Sequence, residues 1–203
     1  MAAKRRIEMM EETRAKLIAA GRKAFAENGF AAASMDELTA GAGLTRGALY
    51  HNFGDKKGLL AAVVAQVDGE MAQRAQAAAV DAASLWEGLV AEGVAYIQLA
   101  LDPEIQRIVL LDGPAFLGDP SQWPSQNACL AATRQKIVLL QAEGIVKPID
   151  VEAAARLING AALNAALWVA ASPQPEVILP KAIEALTCLL SGFLAARRDP
   201  TSE

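Results

Sequence analysis

"SMDELTAGAGLTRGALYHNF", residues 34–53, holds two helix starts and a glycine turn within twenty positions. Ser34 followed three residues later by Glu37 is a capping box, and it opens a short helix to about Ala40. "AGAGL", residues 40–44, is a tight turn in which Gly43 can take positive φ cheaply. Thr45 then caps a second short helix, to about Asn52. Met35, Leu38, Ala42, Leu44 and Leu49 supply the apolar faces, so Thr45, Arg46, Gly47, Tyr50 and His51 are left outside. Two short helices joined by a glycine turn form a helix-turn-helix.

The flanks support that reading. A longer helix from about Glu8 to Glu27 precedes it, with Met10, Leu17, Gly21, Ala24 and Phe25 on one face. Asn28-Gly29 reads as its C-terminal stop, with Phe30 packing back. Lys4, Arg5 and Arg6 ahead of it are either a minor-groove arm or a solvated terminus. Asp55 caps the next helix, which continues towards Ala79. The exposed set on the second short helix suits a nucleic-acid surface, with donors for base edges and a glycine where backbone must come close. Gly47 costs that helix roughly 1 kcal/mol against alanine, and close approach to DNA is a reason to tolerate it. Lys56 and Lys57 open the following helix, where charge and free N–H groups can hold a phosphate.

Beyond residue 60 the chain reads as five more helices, about nine in all and no strands, an all-α fold. Ser84 and Glu87 form a second capping box. Asp102-Pro103 opens a helix, and 112–126 is broken by two glycines and three prolines. Further helices cover about 125–142, 150–171 and the stretch after "SPQP", the last ending at Arg197-Arg198 with Pro180 as its kink or true start.

Composition sets bounds. Of 203 residues, 53% are hydrophobic, enough for a sizeable core in one or two domains. No uninterrupted apolar run reaches the roughly 18 residues that cross a membrane, and the N-terminus lacks the apolar segment of a secretory signal. Cys129 and Cys188 match no metal spacing and read as reduced thiols, so neither metal nor cofactor is expected. Residues 1–58 carry ten Lys/Arg against seven Asp/Glu, while 59–203 carry nine against sixteen. A basic end on an acidic body suits a polyanion met by the end alone. The single histidine lies on the second short helix, so no nucleophile–base pair can be assembled and an enzyme is not expected.

Residues 25–60, "FAENGFAAASMDELTAGAGLTRGALYHNFGDKKGLL", resemble the DNA-binding signature of the TetR family of bacterial transcriptional repressors. The match runs in order through Phe-x-x-x-Gly-Phe, Ala-Gly-Leu-Thr, Gly-x-Leu-Tyr and Phe-x-Asp-Lys-x-x-Leu. The resemblance implies a DNA-binding domain at 1–54 and a ligand-binding and dimerisation domain at 55–203. It implies that Thr45, Tyr50 and Lys56 face phosphate and that Arg46, Gly47 and His51 lie nearest the bases; Ser34 completes the expected DNA-facing set. Asn52 stands where His or Arg is frequent in the family.

The acidic body adds two expectations. The helix over 150–171 is apolar almost all round, and the last helix is similar, so one face of each needs a second chain. The resemblance implies a four-helix dimer interface there, with Leu163, Leu167, Leu186, Leu190 and Phe193 as its candidates. It also implies an effector pocket in the body. Trp86, Tyr96, Phe116, Trp123 and Trp168 would be walls, and Asn127 and Asn164 polar anchors, beside Gln98 and Asn159. The expectation is a cytoplasmic homodimer that binds a palindromic DNA operator, represses, and is released by a small, mostly apolar molecule. A ligand-independent architectural DNA binder and an activator of the same fold are the alternatives.

Overall fold

The computed structural model describes residues 2–196, and side chains from residue 5 onward. Helices α1 (Ala2–Ala32), α2 (Met35–Gly41), α3 (Arg46–Phe53), α4 (Lys56–Ala77) and α5 (Leu85–Gln98) are followed by a 3-10 turn at Leu99–Leu101. Next come α6 (Pro103–Ile105), a π-helical stretch Gln106–Asp112 and α7 (Gly113–Leu117), one helix with an overwide middle. A 3-10 turn at Pro120–Gln122 leads into α8 (Pro124–Ala142), α9 (Val151–Ala171) and α10 (Pro175–Ser191). Taking 103–117 as one, nine helices stand among the described residues, and no strand. The fold is all-α, with a single bridged pair, Val146 and Leu194.

Polar caps set most helix starts where the sequence puts them. Thr45 accepts from the Ala48 N–H, Asp55 from Gly58, Ser84 from Glu87, Asp102 from Glu104 and Asp150 from Ala153. Gly43 takes φ 66° in the helix-turn-helix turn. Other boundaries moved. α1 begins at Ala2, so Arg5 and Arg6 lie on a helical turn and not on an extended arm; no Gly or Pro interrupts that segment. Its far end breaks at Gly29 (φ 75°, ψ 161°) and one more turn follows. Met10, expected on the core face, is exposed, while Leu17, Gly21 and Phe25 are buried.

The last helix ends at Ser191, not at Arg197-Arg198, which lie outside the described residues. After Gly192 the chain doubles back: Lys147 donates its N–H to the Phe193 carbonyl, and Ala195 to Ile145. The Lys147 ammonium also caps α10 through the Gly192 carbonyl (2.6 Å), a favourable place for a cation. α9 is long and apolar enough to cross a bilayer by length and composition, because its alanines keep mean hydropathy high between Glu152, Arg156 and Asn159. It packs on α5, α8 and α10, as a core helix does.

The chain forms two compact units, Met1–Glu70 with Asp102–Trp123, and Met71–Leu101 with Pro124–Glu203; the boundary falls inside α4. In the first, α1 packs on α2, α3 and the π stretch around Leu17, Phe25, Leu38, Leu49 and Ile108. A β-carbon at Gly21 would meet Leu59 at 3.1 Å, so this glycine lets α1 and α4 close up. Arg22 ties the same unit together, its guanidinium forking both Glu70 (2.8 Å) and Glu104 (2.7 Å). These two carboxylates raise its pKa further above the ordinary arginine value. The second unit builds its core from α5, α8, α9 and α10.

Candidate nucleic-acid interface

The α2–α3 pair rests on buried Leu38, Thr39 and Leu49. With that face spent on the core, the opposite face of α3 carries Arg46, Gly47, Tyr50 and His51, all exposed, with Thr45 at its start. Tyr50 is 52% exposed, a large aromatic left in water. The Thr45 oxygen accepts from Ala48 at 3.2 Å, which leaves the hydroxyl hydrogen available to a phosphate oxygen. Ser34 at the start of α2 is arranged alike, accepting from Glu37 at 3.4 Å. Asn52 turns away, its amide donating to the Ala48 carbonyl of its own helix (2.8 Å).

Two arrangements here were not foreseen from sequence. Arg46 does not hang free: its guanidinium forks the Asp36 carboxylate on α2, one contact at 2.7 Å and a shorter one through Nε. Both side chains are exposed, so the pair costs little to open. Ten residues separate them across a turn, so no helical spacing announces the pair. Lys56, at the first position of α4, lies over the Phe30 ring (4.7 Å to the centroid) and donates to the Ala31 carbonyl (3.4 Å). Its partial burial lowers the ammonium pKa from the usual lysine value. On the other side Arg14 covers the Phe53 ring at 4.6 Å. The face therefore offers hydroxyls, a guanidinium, an ammonium and an aromatic, with close backbone approach at Gly47: the chemistry that phosphates and base edges need.

The second unit holds a cavity of about 610 Å³, counting its open mouth, between α4, α5, α8 and α9. Ala72, Ala75, Leu89, Gly93, Ile158 and Ala162 make it apolar, and Tyr96, Thr133, Asn159 and Glu92 add polar edges. Thr133 donates to Asn159 (2.9 Å), and Glu92 is paired with Lys136. Of the expected pocket residues only Tyr96 and Asn159 line this cavity, and Gln98 is exposed. Trp86 is half-buried elsewhere in the unit, while Asn127, Asn164 and Trp168 are exposed. Phe116 and Trp123 belong to the first unit. The Phe116 ring packs at a tilt on Phe30 (centroids 4.5 Å), and Trp123 lies against Gly113 with its indole nitrogen buried. Cys129 lines the cavity wall and Cys188 is exposed; both remain thiols. Aromaticity alone could not separate pocket from core or surface.

The expected interface residues divide as well. Leu186 and Leu190 are buried within the chain's own packing, and Leu163, Leu167 and Phe193 are half-buried. Phe193 lies past the end of α10. The exposed stripe of α9 is instead Leu157, Gly160, Asn164 and Trp168, at helical spacing, with Leu157 65% and Trp168 50% exposed. On α10 Val177 and Leu189 are the exposed large apolar residues.

Residues 17–63 match the family described as bacterial regulatory proteins, tetR family, and residues 86–193 match the tetracyclin repressor-like C-terminal domain. The crystal structure of a TetR-family transcriptional regulator from Pectobacterium atrosepticum is 49% identical, with a TM-score of 0.86 over 94% of this chain and 98% of that one. The HTH-type transcriptional repressor AcnR of Corynebacterium glutamicum is 34% identical over 61 residues, 30% of this chain and 32% of AcnR. The HTH-type transcriptional regulator UidR of Escherichia coli K12 is 38% identical over 56 residues, 28% of this chain and 29% of UidR. The chain thus spans about a third of the length of the curated relatives it matches.

Proposed function

The chain belongs to the TetR family of bacterial transcriptional regulators, which bind DNA through a helix-turn-helix, and from that premise we propose that it is a ligand-released repressor acting as a homodimer in the cytoplasm. Residues 1–54 are its DNA-binding domain and 55–203 its effector-binding and dimerisation domain, with α4 connecting the two. α3 enters the major groove. Arg46, Gly47 and His51 face base edges, and Ser34, Thr45, Tyr50 and Lys56 contact phosphates. The observation that carries the reading is the α3 face itself, where Arg46, Gly47 and Tyr50, with Thr45 at the N-cap, are exposed while Leu49 on the other side is buried.

Dimerisation uses the exposed stripe of α9 and the adjoining face of α10. A lone chain leaves Leu157, Trp168, Val177 and Leu189 in water, and a second copy would cover them. Gly160 in mid-stripe would let the partner helix come close. Two copies place two α3 helices about 34–36 Å apart, one helical turn of DNA, on a palindromic operator. The effector occupies the cavity of the second unit. Its walls favour a small, mostly apolar molecule with a hydrogen-bonding group for Asn159 or Tyr96. The effector acts by binding one spacing of the two α3 helices better than the other; equal affinity for both would shift nothing.

Selection from a random duplex pool, with sedimentation of the protein, tests this. The expected outcome is a dimer that enriches an inverted repeat with half-sites one turn apart. It should lose affinity when a neutral aromatic compound fills the cavity. Enrichment of no sequence would favour an architectural DNA binder, and a sedimenting monomer would refute the interface.

A further inference from the structure

We propose that Phe30 is a positioning residue for DNA binding: seated by Asp112 and Phe116, it holds the Lys56 ammonium in place at the start of α4. The proposal rests on the reading of Lys56 as a phosphate contact, and all of its residues lie in the first compact unit.

The construction begins at Gly29, whose φ of 75° and ψ of 161° take the chain out of α1 and into one separate turn. The Phe30 N–H at the head of that turn donates to the Asp112 carboxylate at 2.7 Å. The Phe30 ring lies between Phe116 (centroids 4.5 Å) and Phe25 (5.6 Å). The backbone of Phe30 is thereby fixed from 82 positions later in the chain, and its ring by Phe116 from 86 positions later together with Phe25 on α1. Lys56 then reads the result twice, through the ring at 4.7 Å and through the Ala31 carbonyl on the same turn at 3.4 Å. An ammonium has three N–H donors; one goes to Ala31 and one side faces the ring, so the remainder stays open to a phosphate oxygen.

A lysine held this way is aimed at the phosphate; without its seat the ammonium spreads over rotamers that miss it, and most of the contact, with its released counterion, is lost. The Asp112 and Phe116 that set it have no place on the α3 face. Asp112 closes the π-helical stretch and Phe116 follows on α7. Each residue in a helix turns about 100°, so loss of the extra residue from that stretch would swing Asp112 off the Phe30 N–H. The register of Gln106–Asp112 is thus a control on the Lys56 contact.

The test is a double-mutant cycle read on a random-sequence duplex of about 30 base pairs, since phosphate contacts are independent of sequence. Affinity is measured from low to moderate salt for wild type, Lys56→Gln, Phe116→Ala and the double variant, each first shown to be folded by circular dichroism. Lys56→Gln should lower the salt slope by about one unit per bound subunit, so a fourfold rise in salt costs it about 3.5-fold less affinity per subunit than wild type, or about 12-fold less for a bound dimer. Phe116→Ala should reproduce most of that loss, Phe116→Tyr should restore the wild-type slope, and Phe116→Ala should do nothing further in the Lys56→Gln background. Asp112→Ala should behave as Phe116→Ala does. A wild-type slope in Phe116→Ala, or losses that add in full, would overturn the positioning role alone. An unchanged slope in Lys56→Gln would refute the phosphate reading of Lys56 and the proposal with it.

Discussion

Replacing Gly29 with alanine puts a side chain where the backbone is least willing to carry one. At φ 75° and ψ 161° this residue occupies a region used almost only by glycine. The space itself is not the obstacle: a β-carbon there would meet Arg107 Nη1 at 3.4 Å and Asp112 Oδ2 at 3.5 Å, ordinary contacts. The cost is therefore conformational, about 1–3 kcal/mol. The chain can escape it only by straightening α1, which pulls the Phe30 N–H off Asp112 and gives up a charge-assisted hydrogen bond worth a similar amount, about 1.5–3 kcal/mol. Either route ends near 2 kcal/mol. For a chain of this length each kcal/mol moves Tm by about 2–4 °C, so the expected fall is about 4–8 °C. Thermal unfolding followed by circular dichroism reads this directly. Gly41→Ala is the control, because Gly41 has no positive φ and nothing within 4 Å of its β-carbon. A Gly29→Ala protein melting with wild type, or above Gly41→Ala, would show that the backbone at Gly29 carries no such cost.

Arg46→Ala should relax preference at one or two base positions, about 1–3 kcal/mol of discrimination, measured on a panel of single-base operator variants; unchanged discrimination would remove Arg46 from the base-reading role. Leu157→Asp with Trp168→Asp should give a folded monomer by sedimentation, because both side chains already face water in one chain. Leu190→Asp, a charge at a fully buried position, should unfold the protein and leave the interface question untouched. Ala162→Phe should fill the cavity and abolish release by effector while DNA affinity persists, at about 1–3 kcal/mol of stability for the overpacking.

The DNA-binding end was largely legible because its signals are local. A cap three residues from its partner, a glycine turn and the alternation of apolar and polar positions on two short helices sufficed to place Thr45, Arg46, Gly47, Tyr50 and His51 on one open face. What escaped depends on residues far apart in the chain. Neither the Arg46–Asp36 fork nor the seat of Lys56 on Phe30 has a spacing that reports it, and the π stretch at 106–112 contains no residue that compels it. The body misled for a different reason. An alanine-rich helix such as α9 is apolar on nearly every side, so its pattern does not say which side faces out. Trp168 and Asn164 turned to the surface, while Leu190 on α10 turned to the core. Aromatic residues are also good filler anywhere, which is how Phe116 and Trp123 came to sit in the first unit and not in a pocket wall.

If α3 reads DNA sequence, a selected operator duplex and its scrambled counterpart must differ in affinity at one salt concentration. Fluorescence anisotropy on wild type and on Tyr50→Ala gives the ratio. A preference for the operator of at least about 10³-fold is expected in wild type. Tyr50→Ala, lacking a phosphate contact, should weaken both duplexes by similar factors and keep most of the ratio. Equal affinity of the wild-type protein for the two duplexes would contradict the account.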